Sequence, residues 1–331
     1  MKLTSILFPF VLIALLIGTL GCATAQPSQG MSMDDKPPAE FESEGRAEDG
    51  KATRTAGHRM PRGSQAPFFF IQMSDPQFGM FGAKKGRKAT DFQKEINNFR
   101  MAIAEANRLK PRFVVITGDL IQNPGDSQQI ELFKRMLKEF DASIPVHLVA
   151  GNHDAGNKPT PASVRAYKRD FTPKDHYAFS VEKTHFIVLN SCLIHRPGQV
   201  EELAQAQMTF LKKELAKAKA KGALHTILFM HHPLFLKKPN EKDGYFVIPK
   251  VRRQPILDLL KQHNASAVFA GHWHGNSFGQ DEHLQMVTTG PVGKPLHEAP
   301  SGFRIVTVTS GGVSHSYHGL GKIPYKVTIE P

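Results

Sequence analysis

Cysteine is scarce: two in 331 residues, Cys22 and Cys192, so if the first carries a lipid the folded part holds no internal disulfide. Acidic residues are also in deficit, 30 against 42 Lys and Arg, and the resulting +12 points to anionic partners such as phosphorylated substrates or lipid headgroups. Nucleic acid would suit the same charge, but Lys and Arg are scattered over helices and loops without a recognisable binding module, so no nucleic-acid partner is expected. No internal repeat is visible, which sets repeat architectures aside. The apolar run from Ile6 to Leu20 is too short to span a bilayer. What is present is a 40% hydrophobic content, adequate for a sizeable core in one large domain or two small ones.

Residues 1–21 read as a signal peptide, with one early charge at Lys2, the apolar run, and then Gly21-Cys22. Thr19-Leu20-Gly21-Cys22 resembles a bacterial lipobox, with Thr19 and Leu20 where that motif has Leu and a small residue. The expectation is export, with a lipid on Cys22 anchoring the chain to the membrane of the bacterial cell envelope at its periplasmic or outer-membrane face. Plain signal cleavage is the alternative. Residues 22–66 are polar, rich in Gly, Pro, Ser and acids, and predict a disordered tether; the folded domain is expected over 67–331.

That domain opens on the strand Pro67 to Met73, which delivers Ser74-Asp75-Pro76-Gln77, followed by a basic loop with Lys84, Lys85, Arg87 and Lys88. Thr90 with Gln93 predicts a capping box for a helix whose Phe92, Ile96, Phe99, Ile103 and Ala106 share a face. The strand Phe113 to Thr117 ends in Gly118-Asp119, and a helix from Asp126 to Phe140 leads to a strand at Val146 that is read as central and covered on both faces. This strand runs into Gly151-Asn152-His153-Asp154. Strand and helix alternating in this way predict a parallel sheet. Beyond an excursion rich in Lys and Pro come a hairpin from Tyr177 to Leu189 and a helix from Val200 to Lys221. Buried strands follow at Thr226 to Met230, before His231-His232-Pro233, and at Ala267 to Ala270, before Gly271-His272-Trp273-His274. The alternating stretches Leu284 to Thr289, Phe303 to Val308 and Val313 to Tyr317 predict one antiparallel closing sheet.

Five apolar strands therefore each end in oxygen or imidazole donors: Asp75 with Gln77, Asp119, Asn152 with His153, His231, and His272 with His274. One His after a strand is usually a packed residue; five such endings in succession point to a shared ion site, with Asp119 the natural bridge between two cations. His153 can move a proton, and Asp154 offers a carboxylate to orient its ring. His147, His185 and His225 lie in or beside strands and read as structural, as does Cys192, a small packing residue. His195 and Arg196, with the basic run, either line a phosphate entrance or are solvated.

These blocks, in order from Phe68 to Tyr317, resemble the calcineurin-like metallophosphoesterase superfamily, and the Asp75 to Gly79 form is most similar to its calcineurin-like phosphoesterase domain-containing, protein phosphatase-like subfamily. The resemblance implies an α/β fold, a four-layer αββα sandwich with two mixed sheets. It implies two divalent ions, Mn, Fe, Zn or Mg, one among Asp75, Gln77, Asp119 and His274 and the other among Asp119, Asn152, His231 and His272, with His153 catalytic and held by Asp154. Here Gln77 stands where the superfamily has His, and an amide oxygen is a harder, weaker ligand. The expected reaction is attack on a phosphomonoester by hydroxide formed from a metal-bound water. Protein phosphoserine and phosphothreonine lead the substrate classes; the alternatives are nucleotide or phosphodiester hydrolysis, or a non-catalytic metal-binding envelope lipoprotein.

Overall fold

In the computed structural model, which describes residues 65–83 and 90–329, apolar strands assemble into two mixed sheets. The first contains β1 (Phe68–Met73), β2 (Val114–Ile116), β3 (Val146–Leu148), β10 (Gly302–Thr309) and β11 (Gly312–Gly319), in the order β11-β10-β1-β2-β3. The second contains β4 (Tyr177–Val181), β5 (Thr184–Val188), β6 (His225–Phe229), β7 (Ala267–Ala270), β8 (Ser277–Asp281) and β9 (Leu284–Thr288), in the order β4-β5-β6-β7-β9-β8. Pairing is parallel through β1-β2-β3 and through β5-β6-β7-β9, and antiparallel toward the margins. The strands with parallel partners thus end together at one pole.

Phenylalanines join the sheets. The Phe70 ring of β1 lies 4.7 Å from Phe113 and 5.5–5.8 Å from Phe186, Phe229 and Phe269 of the second sheet. Truncating such a ring costs about 3–5 kcal/mol, and Phe70 is one of several buried rings that attach the sheets. On the outer face of the first sheet, α1 (Gln93–Leu109) and α2 (Ser127–Leu137) set Phe99, Ile103, Phe133 and Met136 against Ile71, Met73, Val114 and Ile116. On the outer face of the second, α6 (Glu201–Ala220) and α7 (Lys250–Gln262) set Leu211, Leu215, Ile256 and Leu260 against Ile187, Leu228 and Val268. The expected helix–sheet–sheet–helix sandwich is the observed one.

Several local expectations are corrected. β3 is an edge strand with Val146 and His147 only half-buried, because β10 returns from far along the chain to pair with the other side of β1 and shifts the centre there. The closing stretches do not form one sheet: β9 joins β7 in the second sheet, while β10 and β11 complete the first. No capping box forms at Thr90; α1 starts at Gln93, whose N–H is taken 2.9 Å away by the Asp91 carboxylate. The excursion after Asp154 contains α4 (Pro161–Asp170), started by a Thr160–Ser163 capping box that its Lys and Pro content hides. Asp126, the expected start of the second helix, caps α2 by accepting from Gln128 and Gln129 N–H.

The signal peptide at 1–21, Cys22, the tether up to residue 64 and the Lys84, Lys85, Arg87 and Lys88 run lie outside the described residues. Gln65, assigned to the tether by composition, is buried. Its amide donates to the Thr309 carbonyl and accepts from Lys183 N–H and the Thr184 hydroxyl, joining both sheets at the pole where β1 begins.

Candidate metal centre

Each candidate ligand sits in the first residues after a strand, and at five of the seven the backbone is strained. Asp75, Gln77, Asp119, His272 and His274 have φ between 39° and 67°, five of the nine non-glycine residues with positive φ among those described. Such conformations cost about 1–3 kcal/mol each and persist only where surroundings enforce them. Here the loops after β1 and β2 are tied together, Asp75 N–H to Gly118 carbonyl at 3.1 Å and Gln77 N–H to Asp119 carbonyl at 2.9 Å. Val292 and Gly293 N–H bind the Ser74 and Asp75 carbonyls from the far side at 2.8 and 3.1 Å.

The result is two buried donor groups that share one residue: Asp75, Asp119 and His274, and Asp119, His231 and His272, with donor atoms within 4.8 Å of one another in each. Asn152 joins the second, its Oδ1 2.9 Å from His231 Nε2, which is also 3.3 Å from Asp119 Oδ1. His231 Nδ1 lies 2.8 Å from the Thr117 carbonyl and His274 Nδ1 2.7 Å from the Lys294 carbonyl. A carbonyl can only accept, so both Nδ1 atoms carry hydrogen and the Nε2 lone pairs face inward, the arrangement that metal-ligating histidines adopt.

Lone pairs thus converge with few donors between them, the His153 N–H to Asp119 Oδ1 being one. Neutral His231 Nε2, Asn152 Oδ1 and Asp119 Oδ1 are all acceptors, and Gln77 Oε1 is buried with no hydrogen-bond partner. A cation relieves such a meeting, and a set of carboxylate, amide oxygen and imidazole suits a divalent one. The protonation equilibria carry the same tension. Burial opposes the charge on His231, but the charge and hydrogen bond of Asp119, with Asp75 behind, raise its pKa to about 9. Burial also works to raise Asp119, which the charges of His231 and His153 and the His231 hydrogen bond hold below the usual carboxylate range. Burial raises Asp75 against the pull of His274 and His231, and burial with the nearby His231 charge holds His272 well below an ordinary imidazole, as a neutral ligand.

His153 and Asp154 stand in α3 (Asn152–Ala155), the helical turn that follows β3. The His153 ring donates through Nδ1 to the Gln122 carbonyl at 2.6 Å, and its N–H donates to Asp119 Oδ1 at 2.9 Å. Asp154 does not hold that ring. Its carboxylate turns back to accept from Gly151, Leu120 and Ile121 N–H at 2.8, 2.9 and 3.3 Å. Consecutive residues of a helical turn point in different directions, so an adjacent pair in sequence is not a pair in space. Burial and the Asp119 charge raise the Asp154 pKa to about 8.

The glycines ahead of the ligands answer to close packing. A Cβ on Gly151 would lie 2.1 Å from Asp119 N, and one on Gly271 1.8 Å from the Ser74 hydroxyl. The Gly-ligand pairs at 118–119, 151–152 and 271–272 carried that signal in the sequence. Gln122 and the carbonyls of Thr117 and Lys294 carried none, since a main-chain acceptor looks alike at every position.

Of the remaining singled-out residues, His232 bonds Ser191 and stacks at 4.5 Å on His195, outside both donor groups. His147 stacks on Phe179 at 3.7 Å, His185 pairs with Glu214 at 2.9 Å and His225 meets the Thr309 carbonyl at 2.8 Å, which makes them structural. Cys192, the first residue of α5 (Cys192–His195), is buried and unpaired, with its thiol pKa pushed up by burial.

Two mixed sheets between helices, with Asp, Asn and His donors gathered around one shared carboxylate at a common pole, are the fold and metal centre of a metallophosphoesterase. Residues 70–276, which include every donor named above, match the calcineurin-like phosphoesterase family, and the chain belongs to it. It is a hydrolase of phosphate esters that depends on a divalent metal centre. The chain is 36% identical over 273 residues to human serine/threonine-protein phosphatase CPPED1, spanning 79% of this chain and 87% of that protein. It is 34% identical over 267 residues to the Danio rerio protein of that name, spanning 78% and 86%. Among solved structures, a dimetal phosphatase from Danio rerio has the same fold, with a TM-score of 0.53 at 18% identity over 75% of this chain and 98% of that one. Yellow lupin purple acid phosphatase PPD1 does so with a TM-score of 0.57 at 15% identity over 77% and 52%.

Proposed function

We propose that the protein is a phosphomonoesterase acting on phosphoserine and phosphothreonine in proteins, with two divalent ions in its centre. The observation that carries the two-ion reading is the sharing of Asp119 between the two donor groups. The substrate class rests on the likeness to relatives named serine/threonine-protein phosphatases.

Asp75, Gln77, Asp119 and His274 would hold one ion, and Asp119, Asn152, His231 and His272 the other. Divalent ions there would acidify water to a pKa of about 7 and neutralise phosphoryl charge. The chain supplies the rest. Gln122 and Asp119 fix the His153 ring and backbone beside the shared carboxylate, leaving Nε2 to give a proton to the departing alkoxide. Among the described residues, the Ser74 hydroxyl is buried and bonded to Asp75 and the Cys192 thiol is buried and resists ionisation, so neither is poised to attack phosphorus itself. Water is therefore the nucleophile. The oxygen-rich set around Gln77 favours Mn²⁺ or Mg²⁺ there.

Turnover of phosphoserine and phosphothreonine peptides, nucleoside monophosphates and a phosphodiester, each with Mn²⁺, Mg²⁺, Fe²⁺ or Zn²⁺, tests this. The peptides are expected to show the highest kcat/KM. A diester or nucleotide preference overturns the substrate class, and no turnover with any metal would support a metal-binding envelope protein instead. The Lys2, Ile6–Leu20 and Gly21-Cys22 pattern supports export and a lipid on Cys22. Mass spectrometry finding residue 22 absent or unmodified in the mature chain refutes that anchor.

A further inference from the structure

An amide is an unusual metal donor because it has two faces: its oxygen can bind a cation, and its NH₂ repels one. A Gln at position 77 is therefore a ligand only if something decides which end points inward. In the structure the two ends of the Gln77 amide differ in what they meet. Gln77 Nε2 donates to Gln122 Oε1 at 3.0 Å, while Gln77 Oε1 is buried and has no hydrogen-bond partner. The main chain of Gln122 is fixed from several directions. Its N–H donates to the Phe78 carbonyl at 3.0 Å and to Gln129 Oε1 at 3.0 Å, and its own carbonyl takes the His153 Nδ1 proton at 2.6 Å. Gln129 is fully buried and also accepts from Asn123 N–H, so the segment carrying Gln122 is held by a side chain that cannot relax into water.

We propose that Gln122 is the positioning residue that turns Gln77 into an oxygen donor, by taking its NH₂ and so presenting Oε1 to the cation shared with Asp75, Asp119 and His274. This rests on the two-ion reading above. It gives Gln77 the same kind of outer partner that the Thr117 and Lys294 carbonyls give the ligating histidines: there a carbonyl fixes the tautomer, and here an acceptor holds the amide against flipping. Without Gln122 Oε1, the Gln77 NH₂ loses its acceptor and can rotate toward the carboxylates of the centre, which then take a hydrogen bond where a metal should sit.

The test is calorimetric titration of Mn²⁺ into the metal-stripped full chain, compared for wild type, Gln122→Met and Gln122→Glu. Gln122→Met keeps the side chain's length and removes the acceptor; Gln122→Glu restores an acceptor oxygen. Loss of an outer partner of a metal ligand weakens binding by about 10–100-fold, and Gln122→Met is expected to weaken one of the two binding steps by that factor and leave the other unchanged. Gln122→Glu is expected to bind as tightly as wild type or more so. Because Gln122 acts through Gln77, Gln77→Met with Gln122→Met is expected to bind no more weakly than Gln77→Met alone. Melting in the presence of chelator checks that each variant folds like wild type.

Gln122→Met that leaves both steps unchanged overturns the proposal, as does one that weakens both steps alike, which is what general loosening of the loop would do. Additive losses in the double variant also overturn it. Failure of the underlying reading is distinguishable, because it appears in the wild type as one bound ion or none before any variant is made.

Discussion

Replacing Gly151 by Ala tests the architecture of the centre at its tightest point. The new Cβ would sit 2.1 Å from the backbone nitrogen of Asp119 and 2.2 Å from its Oδ1. The nearer atom is main chain, so no rotamer change relieves the contact, and the β2 and β3 loops must separate by about 1 Å or more to reach an ordinary distance. Overpacking of this kind costs about 1–3 kcal/mol, and with backbone on both sides the upper end applies. For a domain of this size that is a fall in Tm of roughly 6–12 °C. The functional loss should be larger than the stability loss suggests. Asp119 is shared by both donor groups and also accepts the His153 N–H, so a shift of this size misplaces both ion sites and the acid together. A displacement of about 1 Å in a catalytic group costs about 100-fold in rate. The assays are calorimetric melting, metal analysis of the purified protein and turnover of a phosphomonoester. Gly312→Ala is the control, because Gly312 has nothing within 4 Å of its missing Cβ and no positive φ. If Gly151→Ala melts within about 2 °C of wild type and keeps its metal and most of its turnover, the close packing of Gly151 on Asp119 is wrong.

His153→Ala is expected to lower kcat by about 10²–10⁴ while bound metal is retained, with a smaller loss for p-nitrophenyl phosphate than for an alkyl phosphate; equal losses would remove the acid role. Asp154→Ala strands the N–H groups of Gly151, Leu120 and Ile121, each worth about 1–3 kcal/mol when buried and unpaired, so its main effect should be a lower Tm; an unchanged Tm with a large fall in kcat would restore it as the partner of His153. Burial depresses the pKa of His147 to about 4, and burial with the Arg304 charge that of His315 to about 3, both below the 6.5 of an exposed ring. The unfolded chain therefore binds more protons below that value, and the stability these rings confer is whole above pH 6.5 and lost as pH falls toward 3–4. His147→Phe keeps the stack on Phe179 and removes one titrating ring, so in chelator its Tm should fall less than wild type between pH 7 and 4.5; parallel curves would refute this.

What a sequence reveals about a site depends on whether the relevant contact is made by a side-chain type or by a place in space. The strands ending at Met73, Ile116, Phe229 and Ala270 are legible because strands buried on both faces need unbroken apolar runs. The donors after them are legible because Asp, Asn and His have few other reasons to follow such runs repeatedly. The family, the chemistry and the residues gathered at the pole follow from that local information.

The rest is decided by partners far along the chain. Nothing near Val146 indicates that β10, some 150 residues on, takes the place beside β1 and leaves β3 at the edge, or that β9 and β10 part into different sheets. Sequence adjacency suggested that Asp154 serves His153, and helix geometry directs its carboxylate to three backbone N–H groups instead. The group that does hold His153 is the carbonyl of Gln122, and the one that orients Gln77 is that residue's amide, 45 positions away. Residue types and their spacing set which atoms are able to bind a metal. Packing alone brings main-chain acceptors and distant side chains against them, and so decides which lone pair faces the ion and which way each ring and amide is turned.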